Sequence, residues 1–539
     1  MTQNRKICSQ TNKNLQIERF IHMISSYTMQ EYFAKFGEIE QNLQLIEQYC
    51  LHGTQKNKDE ILEKIADLTL ESPVFCRLHI LSFCMKVGGG SRFTERLLEE
   101  VLSADYGEVG EYNKLSYFWQ IEVAVFQNAE LGSSKAEQLS ARLYRDLFEA
   151  FEASFGLCGR NYIPAQERDR SLVFVFTGQL LGMEHAPTKT LLDRCWVLQK
   201  ILGKKVFVVN TAMQIPAKGQ APFYGLVNAE YAKSLADLKE LVYRGEHFSY
   251  YQCKDNMPDL ETIAELIRLV KKKKPFYLVD IGGSDICADL CGLFVPQVTV
   301  STVFSKIAVS CGEYQLADRE LTGEDKKVLT ILGVKPEKVK RTMFTFSFKE
   351  QTHCFTRKDL GLPQEAFIVL VAGWRLDEEV DAVFLEMLEH TVSQKKNIAV
   401  AFMGIFNSCN EKVLSFPTLQ KHIYYLGRQM DALAAIQCCD LYVNPKRYGG
   451  GSSMAEALYQ GLPAVTLPMG DAFAAAGREF CAADYRDMEA AIIKYASDGL
   501  YYREMSQKAR RRAKILLDSE NHFGRIISQI EDEMTCGLS

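Results

Sequence analysis

The chain has no CxxC pair and no His/Cys cluster at zinc-ligand spacing, although it holds 16 cysteines in 539 residues. That excludes a structural zinc site of the usual kind. The cysteines read as small buried hydrophobes of a reducing compartment. Adjacent Cys438 and Cys439 fall in an apolar run that reads as a strand. No Asp-x-Asp occurs, so the usual carboxylate pair for a divalent ion on a diphosphate is absent, and no metal is expected. No GxxxxGK[ST] is found and no GxGxxG follows the first predicted strand, which argues against a P-loop NTPase and a dinucleotide oxidoreductase. HExxH and GxSxG are missing too. No run of ~18 apolar residues exists, so no transmembrane helix is expected. The first residues, MTQNRKICSQTNKN, lack the apolar core of a signal peptide. The formal charge of −5 gives no general nucleic-acid surface. These absences lead to the expectation of a cytoplasmic protein with neither nucleic acid nor cofactor.

What is present is a change of period along the chain. Residues 1–165 place apolar residues at three- and four-residue steps, as in NLQLIEQYC, DEILEKIADLTL and AEQLSARLYRDLFEAFEASF. An all-helical domain is expected there, broken at Gly88–Gly90 and near Tyr106–Glu108. From SLVFVFT (171–177) the pattern becomes strand, loop, helix, strand, with short apolar runs suited to strands buried on both faces. Further strands are expected at 222–228, 246–251, 276–281 and 297–300. A second such series begins at FIVLVAG (367–373). The expected architecture is α/β: two Rossmann-like doubly wound domains, 166–345 and 346–520, facing a cleft. A C-terminal helix is expected over 521–539, crossing back to the first of them. Ligands bind beyond the carboxyl ends of strands in such sheets.

The stretch NPKRYGGGSSMAEALYQGLPAVTLP (444–468) starts where the strand LYVNP ends and runs into a helix. Gly449, Gly450 and Gly451 let the backbone approach a ligand closely. Free amides and the positive dipole end of the helix favour an anion. Ser452 and Ser453 are candidate caps and phosphate donors. Lys446 and Arg447 add positive charge, and a diphosphate is the natural guest. Glu456, about one turn further, suits vicinal hydroxyls such as those of ribose.

Strand, glycine turn, serine, then EALYQGLPAVTLP resembles the donor-binding segment of GT-B glycosyltransferases. IVLVAGWRLDEEVDAVFLEML resembles that family's "GRL" turn, and IYYLGRQMDALAAIQCCDLYVNP its "FLG" stretch. The likeness is good over 366–520, holds only as domain pattern over 170–345, and does not reach the first 165 residues. It implies that Arg375 touches the donor pyrophosphate, Glu456 the ribose, Gly427 and Arg428 the base, and the 449–453 turn the phosphates. It implies a UDP-sugar or related nucleotide-diphosphate sugar as co-substrate, passed without a metal to a hydroxyl of a glycan or protein. Two positions depart from the pattern. The acid eight residues before Glu456 is Tyr448, and the lysine five residues after Arg375 is Val380. They leave open retention against inversion, and a non-catalytic GT-B-like subunit supporting a partner enzyme. A nucleotide-sugar 2-epimerase ranks below both.

In the first α/β domain, GQLLGMEHAPTK (178–189) follows the first strand and carries Glu184 and His185, an adjacent acid and base. His185 also suits a helix start at Pro187/Thr188. VDIGGSDICADL (279–290) offers Asp285 beside a glycine turn, as a catalytic acid or as a residue favouring the helix dipole. Asp471 follows the strand after the donor helix and suits sugar hydroxyls. Lys271–Lys274 and Arg510–Arg512 read as exposed helix residues. The helical region is expected to serve acceptor recognition or homo- or hetero-oligomerisation.

Overall fold

The computed structural model describes residues 15–51, 53–182, 185–213, 221–227, 233–254, 257–303 and 305–536. The first part is helical. Its central helix, Val74–Gly88, is apolar all round and almost wholly buried between the amphipathic helices Gln55–Leu68 and Ser91–Ser103, and Ser134–Ser154 packs in turn on Ser91–Ser103 and Glu111–Gln127. Gly89 ends the central helix in the left-handed region, at φ +77°. The Tyr106–Val109 segment, expected as a break, forms one helical turn capped by Asp105.

Thirteen strands follow among the described residues. β1 (Asp169–Thr177), β2 (Lys205–Asn210), β3 (Glu240–Tyr243), β4 (Glu246–Gln252), β5 (Pro275–Gly282), β6 (Gln297–Ser301), β7 (Tyr314–Ala317) and β8 (Val339–Arg341) make one sheet, ordered β3-β4-β2-β1-β5-β6-β7-β8. It is parallel except for the β3–β4 hairpin. The helical region covers one face, because Leu147 and Phe151 share a continuous core with Phe174, Phe176, Leu278 and Ile286. The other face is covered by the helix Ala186–Trp196 and by Phe523, Ile527 and Ile530 near the C-terminus. The Tyr277 hydroxyl fixes that last segment by donating to Glu531 at 2.7 Å.

The segment 222–227, expected as a strand, is a loop. Its Phe223 and Tyr224 are apolar because they pack on the helical region. The Tyr117 hydroxyl donates to the Pro222 carbonyl at 2.8 Å, and that of Tyr224 to Glu47 at 2.7 Å. Residue 228 lies outside the described residues.

β9 (Phe367–Gly373), β10 (Ile398–Gly404), β11 (Ile423–Gly427), β12 (Leu441–Val443) and β13 (Ala464–Val465) form the second sheet, all parallel, ordered β11-β10-β9-β12-β13. Chain order reverses between β9 and β12. In the first sheet it reverses between β1 and β5. Each reversal opens a crevice at the carboxyl edge. Cys438 and Cys439 sit in the buried turn before β12, not in a strand. Arg512 is not a freely exposed helix residue. It is half-buried and donates to the carbonyls of Ala474 and Ala475.

Candidate functional site

The two carboxyl edges meet. Lys189, past the end of β1, pairs with Glu456, past the end of β12, at 3.3 Å. Past β6, the Ser305 amide donates to Asp471, past β13, at 3.2 Å. The cleft therefore lies between the two switch points.

On the second-domain side, the helix Gly451–Tyr459 begins directly after the glycine turn. Its N-cap is Gly450, at φ +90°, and no side chain caps it. Ser452 and Ser453 lie inside the first turn and are not caps. The first amides of the helix therefore lack an intrahelical partner, which suits an anion. Gly450 is required here. A Cβ would stand 2.5 Å from Asn444 Oδ1 and 2.8 Å from Arg447 Nε.

Those clashes follow from where Arg447 goes. Sequence reasoning put it in the phosphate loop, but the structure turns it inward. It pairs with buried Glu379 and donates to the Ala372 carbonyl (2.8 Å), the Tyr442 hydroxyl (3.0 Å) and Asn444 Oδ1 (2.8 Å). Its donors are spent on tying β12 to β9. Lys446 points outward, 3.1 Å from Glu130 of the helical region.

Arg375 stays at the turn. It shares Glu379 at 2.9 Å, and its Nη2 would lie 3.4 Å from a Cβ on Gly449. Its guanidinium lies over Phe126 at 4.8 Å, and its buried Nε has no partner. An unpaired buried donor beside an uncapped helix start is an unmet demand for an acceptor. Further along the edge, Gly427 ends β11 at φ +61°, and Arg428 stacks on half-exposed Trp374 at 5.1 Å. Sequence reasoning passed over Trp374, although an exposed tryptophan at a strand end is a stacking surface. Val380, at the position of the absent lysine, is fully buried. Tyr448 turns to the helical region, where its hydroxyl would lie 3.2 Å from a Cβ on Gly132.

On the first-domain side, His185 precedes the helix Ala186–Trp196 and lies 3.3 Å from Thr188 Oγ1. Burial, then the Lys189 ammonium, pushes its imidazole down to about 4, so it is neutral at pH 7. Glu184 lies outside the described residues.

Asp285 is engaged as a helix cap. It is fully buried and caps the helix Ile286–Cys291, accepting from the amides of Cys287 (2.9 Å) and Ala288 (3.1 Å) and from Thr211 Oγ1 (2.6 Å). The helix-dipole reading of that aspartate is the one its hydrogen bonds match. Asp471 is buried, and its amide donates to the Tyr448 carbonyl at 2.6 Å. Burial pushes its carboxyl up to about 7. Lys189 and Lys306 were missed because neither stands in a motif, and only the fold brings them to the cleft.

Two doubly wound α/β domains with facing carboxyl edges, and a C-terminal segment returned to the first, are the GT-B architecture, here preceded by helices. A solved structure bears this out. The chain is similar to a mutant O-GlcNAc transferase of Thermobaculum terrenum, at 15% identity over 96% of this chain and 97% of that one, with a TM-score of 0.54. Anabaena HepE in complex with UDP is similar at 11% identity over 67% and 100% of the two chains, with a TM-score of 0.47. A glycosyltransferase from Rickettsia africae is similar at 11% over 68% and 99%, with a TM-score of 0.45. No protein-family model matches the chain, and no curated protein matches it.

Proposed function

We propose that this protein is a glycosyltransferase. It would take a sugar from a nucleotide-diphosphate donor, with a UDP-sugar favoured, and pass it to a hydroxyl of a glycan or protein. The observation that carries the reading is the uncapped start of the Gly451–Tyr459 helix at the β9–β12 switch point, beside the unpartnered Nε of Arg375. In this reading the diphosphate sits on the helix amides and Arg375, where negative charge builds as the leaving group departs. Glu456 accepts from ribose hydroxyls, and the base lies against Gly427, Arg428 and Trp374. Neutral His185 is a hydrogen-bond partner for the sugar rather than a strong base, since its imidazole holds a proton weakly at pH 7. Helix amides and cations do the work of a metal, so no divalent ion is required.

A second reading, a GT-B-like subunit that binds without transferring, is favoured by one contact. Lys189 already occupies Glu456. Release of nucleoside diphosphate from UDP-, GDP- and ADP-sugars separates the two. The transferase reading expects release from one donor class by the wild type and its loss in Arg375→Ala. Tight donor binding without release, alone or with added acceptors, would favour the binding subunit.

A further inference from the structure

The cations around the Gly449–Gly451 turn have different occupations. Arg447 is locked inside with Glu379, and Lys446 faces outward to Glu130. Arg375 shares Glu379. Lys306 differs from all three. It comes from the other α/β domain, in the loop after β6, and its ammonium lies 4.3 Å from the ring centre of Tyr448, the residue before Gly449. Its stretch of backbone is fixed. The Ser305 amide donates to Asp471, the Ser305 carbonyl accepts from Arg319 at 3.2 Å, and the Lys306 amide donates to the Val303 carbonyl at 3.2 Å. Its side chain is about one-quarter exposed and pairs at 3.1 Å with Glu137, which is 41% exposed.

Glu137 stands in the first turn of the helix Ser134–Ser154. The helix dipole favours a carboxylate there with or without Lys306. An ion pair this open to water is weakly held. A diphosphate has more charge and offers several oxygens to one ammonium. The exchange of Glu137 for a diphosphate is therefore favourable, and the Tyr448 ring gives the ammonium a surface to rest on beside the turn.

We infer that Lys306 is a diphosphate ligand supplied across the cleft by the first α/β domain, held over Tyr448 by Glu137 until the anion enters. This rests on the reading of the cleft as a nucleotide-diphosphate site. It also gives Tyr448 a role, because an acid at that position would compete with the diphosphate for the same ammonium.

The test is calorimetric titration of the full chain with UDP and UMP, GDP and GMP, and ADP and AMP. The quantity read is the preference for the diphosphate over its monophosphate. Lys306→Met is expected to lower that preference about tenfold or more, by loss of a charged hydrogen bond. Lys306→Arg is expected to retain it, and Glu137→Gln to raise it. A wild-type preference left unchanged in Lys306→Met, or lost equally for both nucleotides, would overturn the inference and leave the donor site standing. If Lys306→Met does not fold, an unchanged preference in Glu137→Gln overturns it. A wild type that binds no nucleoside diphosphate would overturn the inference and the donor site together.

Discussion

Lys189 Nζ lies 3.3 Å from Glu456 Oε1, joining the first α/β domain to the helix that starts at the glycine turn. The same ammonium helps to hold the His185 imidazole down at about 4, behind the larger effect of burial. One lysine thus pairs with Glu456 and acts through its charge on His185.

Removing it has a signed consequence. In Lys189→Met the His185 imidazole is expected to titrate above about 4 but below its ordinary value of 6.5, because burial persists while the neighbouring charge is gone. Imidazole proton shifts followed from pH 3 to 8 by NMR read this directly. A His185 titration identical in wild type and variant would place Lys189 away from the ring.

Arg447 is a stability residue by its contacts. Arg447→Met leaves Glu379 buried beside only Arg375, and a loss of about 3–5 kcal/mol is expected. The double variant Arg447→Met/Glu379→Leu should recover part of it. Urea unfolding compares the three. Normal stability of Arg447→Met combined with lost nucleotide affinity would return the guanidinium to the donor site.

Asp471 predicts a pH dependence of stability. Its carboxyl is pushed up to about 7 in the fold, against an ordinary value of 3.8. Between those values the folded chain holds a proton that the unfolded chain has released. Its contribution to stability is therefore present at low pH, falls as pH rises through this window, and levels off above about 7. Asp471→Asn keeps an acceptor for the Ser305 amide and removes the titration. The melting temperature of the variant relative to wild type should rise from pH 5 to pH 7 and then stay constant. A difference independent of pH would show that the carboxyl does not titrate there.

The sequence showed the architecture where burial is continuous. SLVFVFT and FIVLVAG are apolar on both faces because helices cover both sides of each sheet, and they became β1 and β9. ELVY, YQLA and VKR became β3, β7 and β8 with no such signal, being three or four residues long and near a sheet edge. The 222–227 run misled in the other direction, since burial against helices produces the same apolar pattern as a strand. The glycine turn and Arg375 were legible as local chemistry. The fate of Arg447 was not, because its partner Glu379 lies 68 positions away and only the pairing of β12 with β9 brings the two together. Lys189 and Lys306 were hidden for the same reason. A lysine beyond a strand end looks like any solvated lysine until the second domain is placed opposite.

The most direct measurement is a thermal-shift screen of the wild type, Arg375→Ala and Glu456→Ala with UDP, GDP, ADP, CMP and their sugar conjugates. A ligand at ~100 times its dissociation constant adds about 2.7 kcal/mol to the stability of the fold that binds it. One nucleotide class is expected to raise the melting temperature of the wild type and of neither variant. A wild type unmoved by every nucleotide, or shifts that persist in both variants, would contradict a donor site at the Gly449–Gly451 turn.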